Sequence, residues 1–191
     1  MKDIFERIKE SSGGPIGQYR EKIDGYFAFP KLEGELGPHM RFNGKDVLCW
    51  SINNYLGLAN HPEIRKADAE GAARWGMAYP MGSRMMTGQT ALHEQLEREL
   101  AEFEHKEAAF EFNFGYQGIL STIDSLVCRH DVIVYDAEAH ACLLDGIRLH
   151  IGKKFKFRHN DIKDCERILG NACKIAEEQG GGVLLITEGV F

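Results

Sequence analysis

The chain has 191 residues, of which 43% are hydrophobic and 27% charged, with a formal net charge of −6. This composition is globular rather than disordered, suffices for one domain or a domain with an arm, and lacks the basic surplus that a nucleic-acid partner requires. No apolar run reaches the ~18 residues of a membrane span, and the opening Met1-Lys2-Asp3-Ile4-Phe5-Glu6-Arg7 lacks the apolar block of a signal peptide.

In chain order, the first predicted element is a short amphipathic helix with Ile4, Phe5 and Ile8 on one side. The breakers Ser11-Ser12-Gly13-Gly14-Pro15 end it, and the aromatic run Tyr26-Phe27-Ala28-Phe29 follows. Asn43-Gly44 lies between two apolar stretches, a hairpin signal because both residues tolerate positive φ. Residues 1–60 therefore read as an arm with a small hairpin, and residues 61–191 as an incomplete large domain.

A helix is predicted over 62–75, with Asn60 as its cap and Glu63 three residues on. After a Gly- and Met-rich loop at 76–88, Leu92, Leu96, Leu100 and Phe103 mark one buried face of a second helix. Strands are predicted at 108–112, 131–135, 155–157 and 183–186. Helices separate them at 115–128, at 140–151 and from about 160 onward. Short apolar strands alternating with amphipathic helices predict an α/β fold: a mainly parallel sheet with helices on both faces. Lys153, Lys154 and Lys156 read as solvated charges on a strand edge.

Two places in this pattern suit a ligand. A helix opening at Gly115 after a strand offers free backbone N–H groups to an anion, although a plain turn that needs a glycine reads the same way. His140 follows the strand ending near Asp136, at the edge where α/β folds collect ligands, and it also reads as a helix-cap histidine. His140-x-Cys142 has no third or fourth ligand at zinc spacing, so no metal site is predicted. No Gly-x-Ser-x-Gly elbow is present. Gly180-Gly181-Gly182 precedes a strand rather than opening a helix, unlike a dinucleotide loop. Five cysteines without a Cys-x-x-Cys pair predict free thiols and a cytoplasmic protein.

Several segments, taken in order, resemble the α-oxoamine synthases, a group within the fold-type-I pyridoxal-phosphate (PLP) enzymes. They are Asn53-Asn54-Tyr55-Leu56-Gly57, Gly82-Ser83-Arg84-Met85-Met86-Thr87-Gly88, Phe114-Gly115-Tyr116, His140-Ala141-Cys142-Leu143-Leu144, His159-Asn160-Asp161 and Thr187-Glu188-Gly189-Val190-Phe191. The resemblance implies the large domain of such a transferase, with PLP as cofactor. It implies an amino acid and an acyl-CoA as substrates, condensed with loss of CO₂ to an α-amino ketone, with a lean toward a serine palmitoyltransferase-like member. It also implies a homodimer.

By the same resemblance, Gly115 and Tyr116 lie on the phosphate side and His140 stacks on the cofactor ring as the catalytic histidine. Asn54 and Glu188 lie on the substrate side, where turn-forming roles for both are the plainer alternatives. Phe114 stands where relatives have Ser or Thr, and Cys142 where many have Ser. The family's Asp-x-Ala-His and Thr-x-x-Lys segments, which supply the cofactor's aspartate and lysine, do not occur among these residues. The resemblance therefore implies a truncated chain, inactive by itself. A class I/II aminotransferase and a non-catalytic fragment are the competing readings.

Overall fold

The computed structural model describes residues 3–11 and 30–191. The aromatic run at 26–29 lies outside the described residues. The chain forms two compact units, one up to Gln89 and one from Thr90 to Phe191. Among the described residues, no helix is long and apolar enough to cross a membrane.

In the first unit, helix α1 (Ile4–Glu10) is capped by Asp3, whose carboxylate accepts the Phe5 N–H at 2.7 Å. Strands β1 (Leu32–Glu33), β2 (His39–Phe42) and β3 (Lys45–Leu48) form an antiparallel sheet in that order. Phe42 pairs with Lys45, which leaves Asn43 and Gly44 as a two-residue turn with φ of 50° and 75°. That is the mirror-image turn the Asn-Gly pair predicts.

Helix α2 (Pro62–Trp75) departs from expectation at its start. His61, not Asn60, is its N-cap, and the Asn60 amide donates to the Leu36 carbonyl. Pro62 in the first turn already removes one N–H that a cap would serve, so the asparagine side chain is free to reach a carbonyl 24 residues away.

The second unit contains helix α3 (Ala91–Phe103), then α4 (Gly115–Leu126), β4 (Val132–Asp136), α5 (Ala141–Leu149), β5 (Lys153–Phe157), α6 (Ile162–Gln179) and β6 (Val183–Ile186). Its sheet is parallel throughout, in the order β5-β4-β6. The central strand is buried on both faces, as a parallel strand between two helical layers must be. Val132 and Val134 point toward Ala172 and Ala176 of α6, whereas Ile133 packs with Ile123 of α4 and Ile147 of α5. The period-two alternation along β4 thus assigns one face to α6 and the other to α4 and α5.

The predicted strand at 108–112 does not form. These residues join neither sheet, and the Glu111 N–H donates to the Glu97 carboxylate at 2.8 Å. Lys154 is also not a simple edge charge. Its ammonium donates to the carbonyls of Ile147, Arg148 and His150 at 3.1, 3.4 and 2.8 Å, closing the C-terminal end of α5.

At the N-terminal edge of the sheet, the Asp131 carboxylate accepts the N–H groups of Cys128 and Gly182 at 2.6 and 2.7 Å. Those hydrogen bonds hold its pKa down at about 2 and tie the entry of β4 to that of β6. Beside it, a Cβ on Gly181 would lie 2.0 Å from the His130 carbonyl oxygen, so only glycine allows the two backbones to meet.

Candidate active site

The C-terminal edge of the sheet is shaped by the ends of its three strands. β4 ends on Asp136, which is 1% exposed. Burial opposes its charge, but the Glu138 N–H and the His159 imidazole both donate to it, and its pKa lies below the usual carboxylate value. The chain then turns, with the Ala137 N–H on the Phe157 carbonyl at 3.0 Å and the Ala139 N–H on the Asp136 carbonyl at 3.2 Å. His140 emerges from that turn as the N-cap of α5.

Three residues fix His140. Its backbone N–H donates to Glu188 Oε1 at 2.6 Å. Its Nδ1 accepts the Cys142 N–H at 3.2 Å, and the Cys142 thiol lies 3.0 Å from the same nitrogen. The Tyr116 ring meets the imidazole edge-on, with centroids 6.4 Å apart and planes at 71°. Glu138, His140, His159, Glu188, Val190 and Phe191 together line a cavity of about 570 Å³.

Of the residues singled out in the sequence, Gly115, Tyr116, His140 and Glu188 lie in the second unit. Tyr116, one residue into α4 after Gly115, meets His140, and Glu188 holds the His140 backbone. Asn54 belongs to the first unit, where its side-chain oxygen accepts the Ala59 N–H at 3.1 Å within a turn. The sequence reading did not single out Asp136, Asp145 or His159 as site residues. His159 stands in a quoted motif, but its contact with Asp136 spans 23 residues and follows only from the strand register, which sets Asp136 beside Phe157.

The Tyr116 hydroxyl donates to the Asp145 carboxylate. That hydrogen bond, joined by burial and the adjacent negative charge, raises the phenol's pKa above its usual 10.0. The folded chain holds the phenolic proton more tightly than the unfolded one, so this contact contributes stability below about pH 10 and loses it as pH rises further. Titration of ¹³C-labelled tyrosine is expected to show Tyr116 ionising above the ordinary phenol value of 10.0. In D145N its midpoint is expected to fall back toward the ordinary value, and an unchanged midpoint would refute the contact.

The sequence matches the aminotransferase class I and II family over residues 45–191. The chain belongs to that family. A relative from Capnocytophaga ochracea, a cysteate-C-fatty acyltransferase, is 60% identical over 191 residues, covering all of this chain and 45% of that protein. An 8-amino-7-oxononanoate synthase from Thermoanaerobacter pseudethanolicus is 37% identical over 191 residues, covering 44% of its own length. These relatives place the chain among the α-oxoamine synthases. The serine palmitoyltransferase of Sphingomonas wittichii shares the fold, with a TM-score of 0.79 at 23% identity over 96% of this chain and 52% of that one. The chain thus spans about half the length of the relatives it matches.

Members of this family are PLP-dependent enzymes, and the residues present fit that cofactor. Gly115 opens α4, and apart from its chain neighbours and its own helix nothing stands within 4 Å of where a Cβ would lie, so an anion meets no obstacle there. The N-cap residue, Phe114, makes no side-chain hydrogen bond to the first turn, which leaves backbone donors and the positive helix end for a phosphate. The ring of His140 offers a flat partner for a pyridine.

Proposed function

We propose that the whole protein uses PLP to condense an amino acid with an acyl-CoA, releasing CoA and CO₂ and forming an α-amino ketone. Bound PLP supplies the electron sink that makes the amino acid's α-carbon reactive. In this reading the N-terminus of α4, at Gly115 and Tyr116, holds the phosphate. His140 stacks on the ring and donates through Nε2 to the substrate. Glu188 steadies His140 from the end of β6 and borders the substrate, while Asn54 serves the substrate carboxylate. Orienting the reacting bond in this way is worth a large part of an enzyme's acceleration.

The observation that carries this reading is His140, anchored through both its backbone and its ring in the lining of a ligand-sized cavity. The 60% identity to a cysteate-C-fatty acyltransferase supports cysteate as the amino acid and a fatty acyl group as the other partner. The intact protein is proposed to be a cytoplasmic homodimer.

The test supplies the whole protein and PLP with cysteate, serine, glycine or alanine, and with long- or short-chain acyl-CoA. Thiol release and product mass are followed. Cysteate with a long acyl chain is expected to give CoA and an amino ketone that retains the sulfonate. Preference for serine would correct the substrate but keep the reaction. Amino-group transfer to a keto acid without CoA release would replace the reading with an aminotransferase.

A further inference from the structure

Two imidazoles line the cavity, and their ring nitrogens are partnered in opposite senses. Nδ1 of His140 faces two groups of Cys142, the backbone N–H at 3.2 Å and the thiol, itself able to donate, at 3.0 Å. A backbone N–H can only donate, so this nitrogen accepts, and the proton of the neutral ring sits on Nε2. His159 is the reverse. Its Nδ1 lies 3.0 Å from Asp136 Oδ1. That buried carboxylate is ionised and can only accept, so Nδ1 carries the proton. The other nitrogen, Nε2, lies 3.0 Å from the Asn160 side-chain nitrogen, a donor. It therefore accepts from that amide.

Neighbouring groups hold His159 in that state. Asn160 adopts φ of 54°, a left-handed conformation that asparagine tolerates, and its side-chain amide reaches back over the imidazole. Phe191 packs edge-to-face on the ring, with centroids 4.5 Å apart and planes at 68°. The Asp–His pairing is the arrangement that fixes a histidine tautomer elsewhere in protein chemistry.

We propose that His159, oriented by Asp136, is a second functional imidazole of this cavity: an acceptor at Nε2, held by the Asn160 amide until a ligand displaces it, complementing the donor at Nε2 of His140. A cavity with one donor and one acceptor imidazole selects a small ligand that carries both an anionic oxygen and an N–H or O–H group. Asn160 occupies the position that the ligand's donor takes. An amino acid meets that description, and this choice of ligand rests on the reading above, whereas the tautomers do not.

The test is a long-range ¹H–¹⁵N spectrum of histidine-labelled chain without cofactor, at a pH well above the ordinary histidine pKa of about 6.5. H140N and H159N assign the two rings. His140 is expected to show a bare Nδ1 and a protonated Nε2, and His159 the converse. In D136N the His159 tautomers are expected to mix, while His140 stays fixed. Identical tautomers, or averaging in both rings of the unmodified chain, would overturn the proposal.

In the whole protein, H159N retains a donor for Asp136 but loses the acceptor at the place of Nε2. Its KM for the amino acid is expected to rise about tenfold, the value of one lost hydrogen bond near 1.4 kcal/mol, with the KM for acyl-CoA unchanged. An unchanged amino-acid KM would remove His159 from the site. A whole protein that releases no CoA with any substrate would instead defeat the acyltransferase reading and leave the NMR result standing.

Discussion

Replacing His140 with asparagine is expected to lower the acyltransferase rate of the whole protein by about a hundredfold or more, while leaving its folding almost unchanged. The two halves of this expectation have separate causes. His140 is the N-cap of α5, and its Nδ1 satisfies the Cys142 N–H. Asparagine is as good a cap as any residue, so the helix start survives. What disappears is the flat ring beside Tyr116 and the Nε2 donor, and misplacing a reacting group by about 1 Å is enough to cost about 10²-fold in rate.

Alanine at the same position loses both functions. H140A should therefore be as slow as H140N and also about 1 kcal/mol less stable. Thermal unfolding and CoA release, measured on both variants, separate the roles. A fully active H140N would show that the histidine is only a cap and would remove the site's central residue.

That double role bears on what could be read from the sequence. The hairpin was legible because Asn-Gly is a local signal with one dominant geometry. The layered sheet was legible because β4 is apolar at every position up to Asp136 save Tyr135, the pattern of a strand covered on both faces. His140 stood out because its motif keeps its order among others along the chain.

Other features depend on partners distant in sequence. The segment at 108–112 has strand-like composition, but composition does not supply a neighbour to pair with. Lys154 looked like an ordinary edge charge, and only the close approach of the α5 terminus turns it into a cap. Asp136 and His159 became a pair through the β4–β5 register, which a list of motifs does not contain. A terminal aspartate on a central strand, with a histidine two residues beyond the paired end of the next strand, is the signal that could have found them.

The same register makes β4 the strand on which the site's geometry depends, and this gives the larger stability effect. Ile133→Ala is expected to destabilise the second unit by about 3 kcal/mol, within the 2–5 kcal/mol typical of buried Ile-to-Ala changes. Ile133 is fully buried, sits between Lys154 and Leu184 in the sheet, and fills the space between α4 and α5. Neither helix can close the resulting cavity without moving against the sheet, and both carry site residues: Tyr116 on α4 and the His140 cap on α5.

Set against a total of about 5–15 kcal/mol for a domain, such a loss is a large fraction. Urea unfolding should show a lower midpoint with the slope unchanged, because the surface exposed on unfolding is nearly the same. Leu100→Ala on α3, where the side chain is 40% exposed, should cost clearly less, about 1 kcal/mol. If the two variants proved equally mild, the face of the sheet beneath α4 and α5 would not be the packed support that holds Tyr116 against His140. The cavity at its edge would then lose the rigidity on which orientation of a bound cofactor depends.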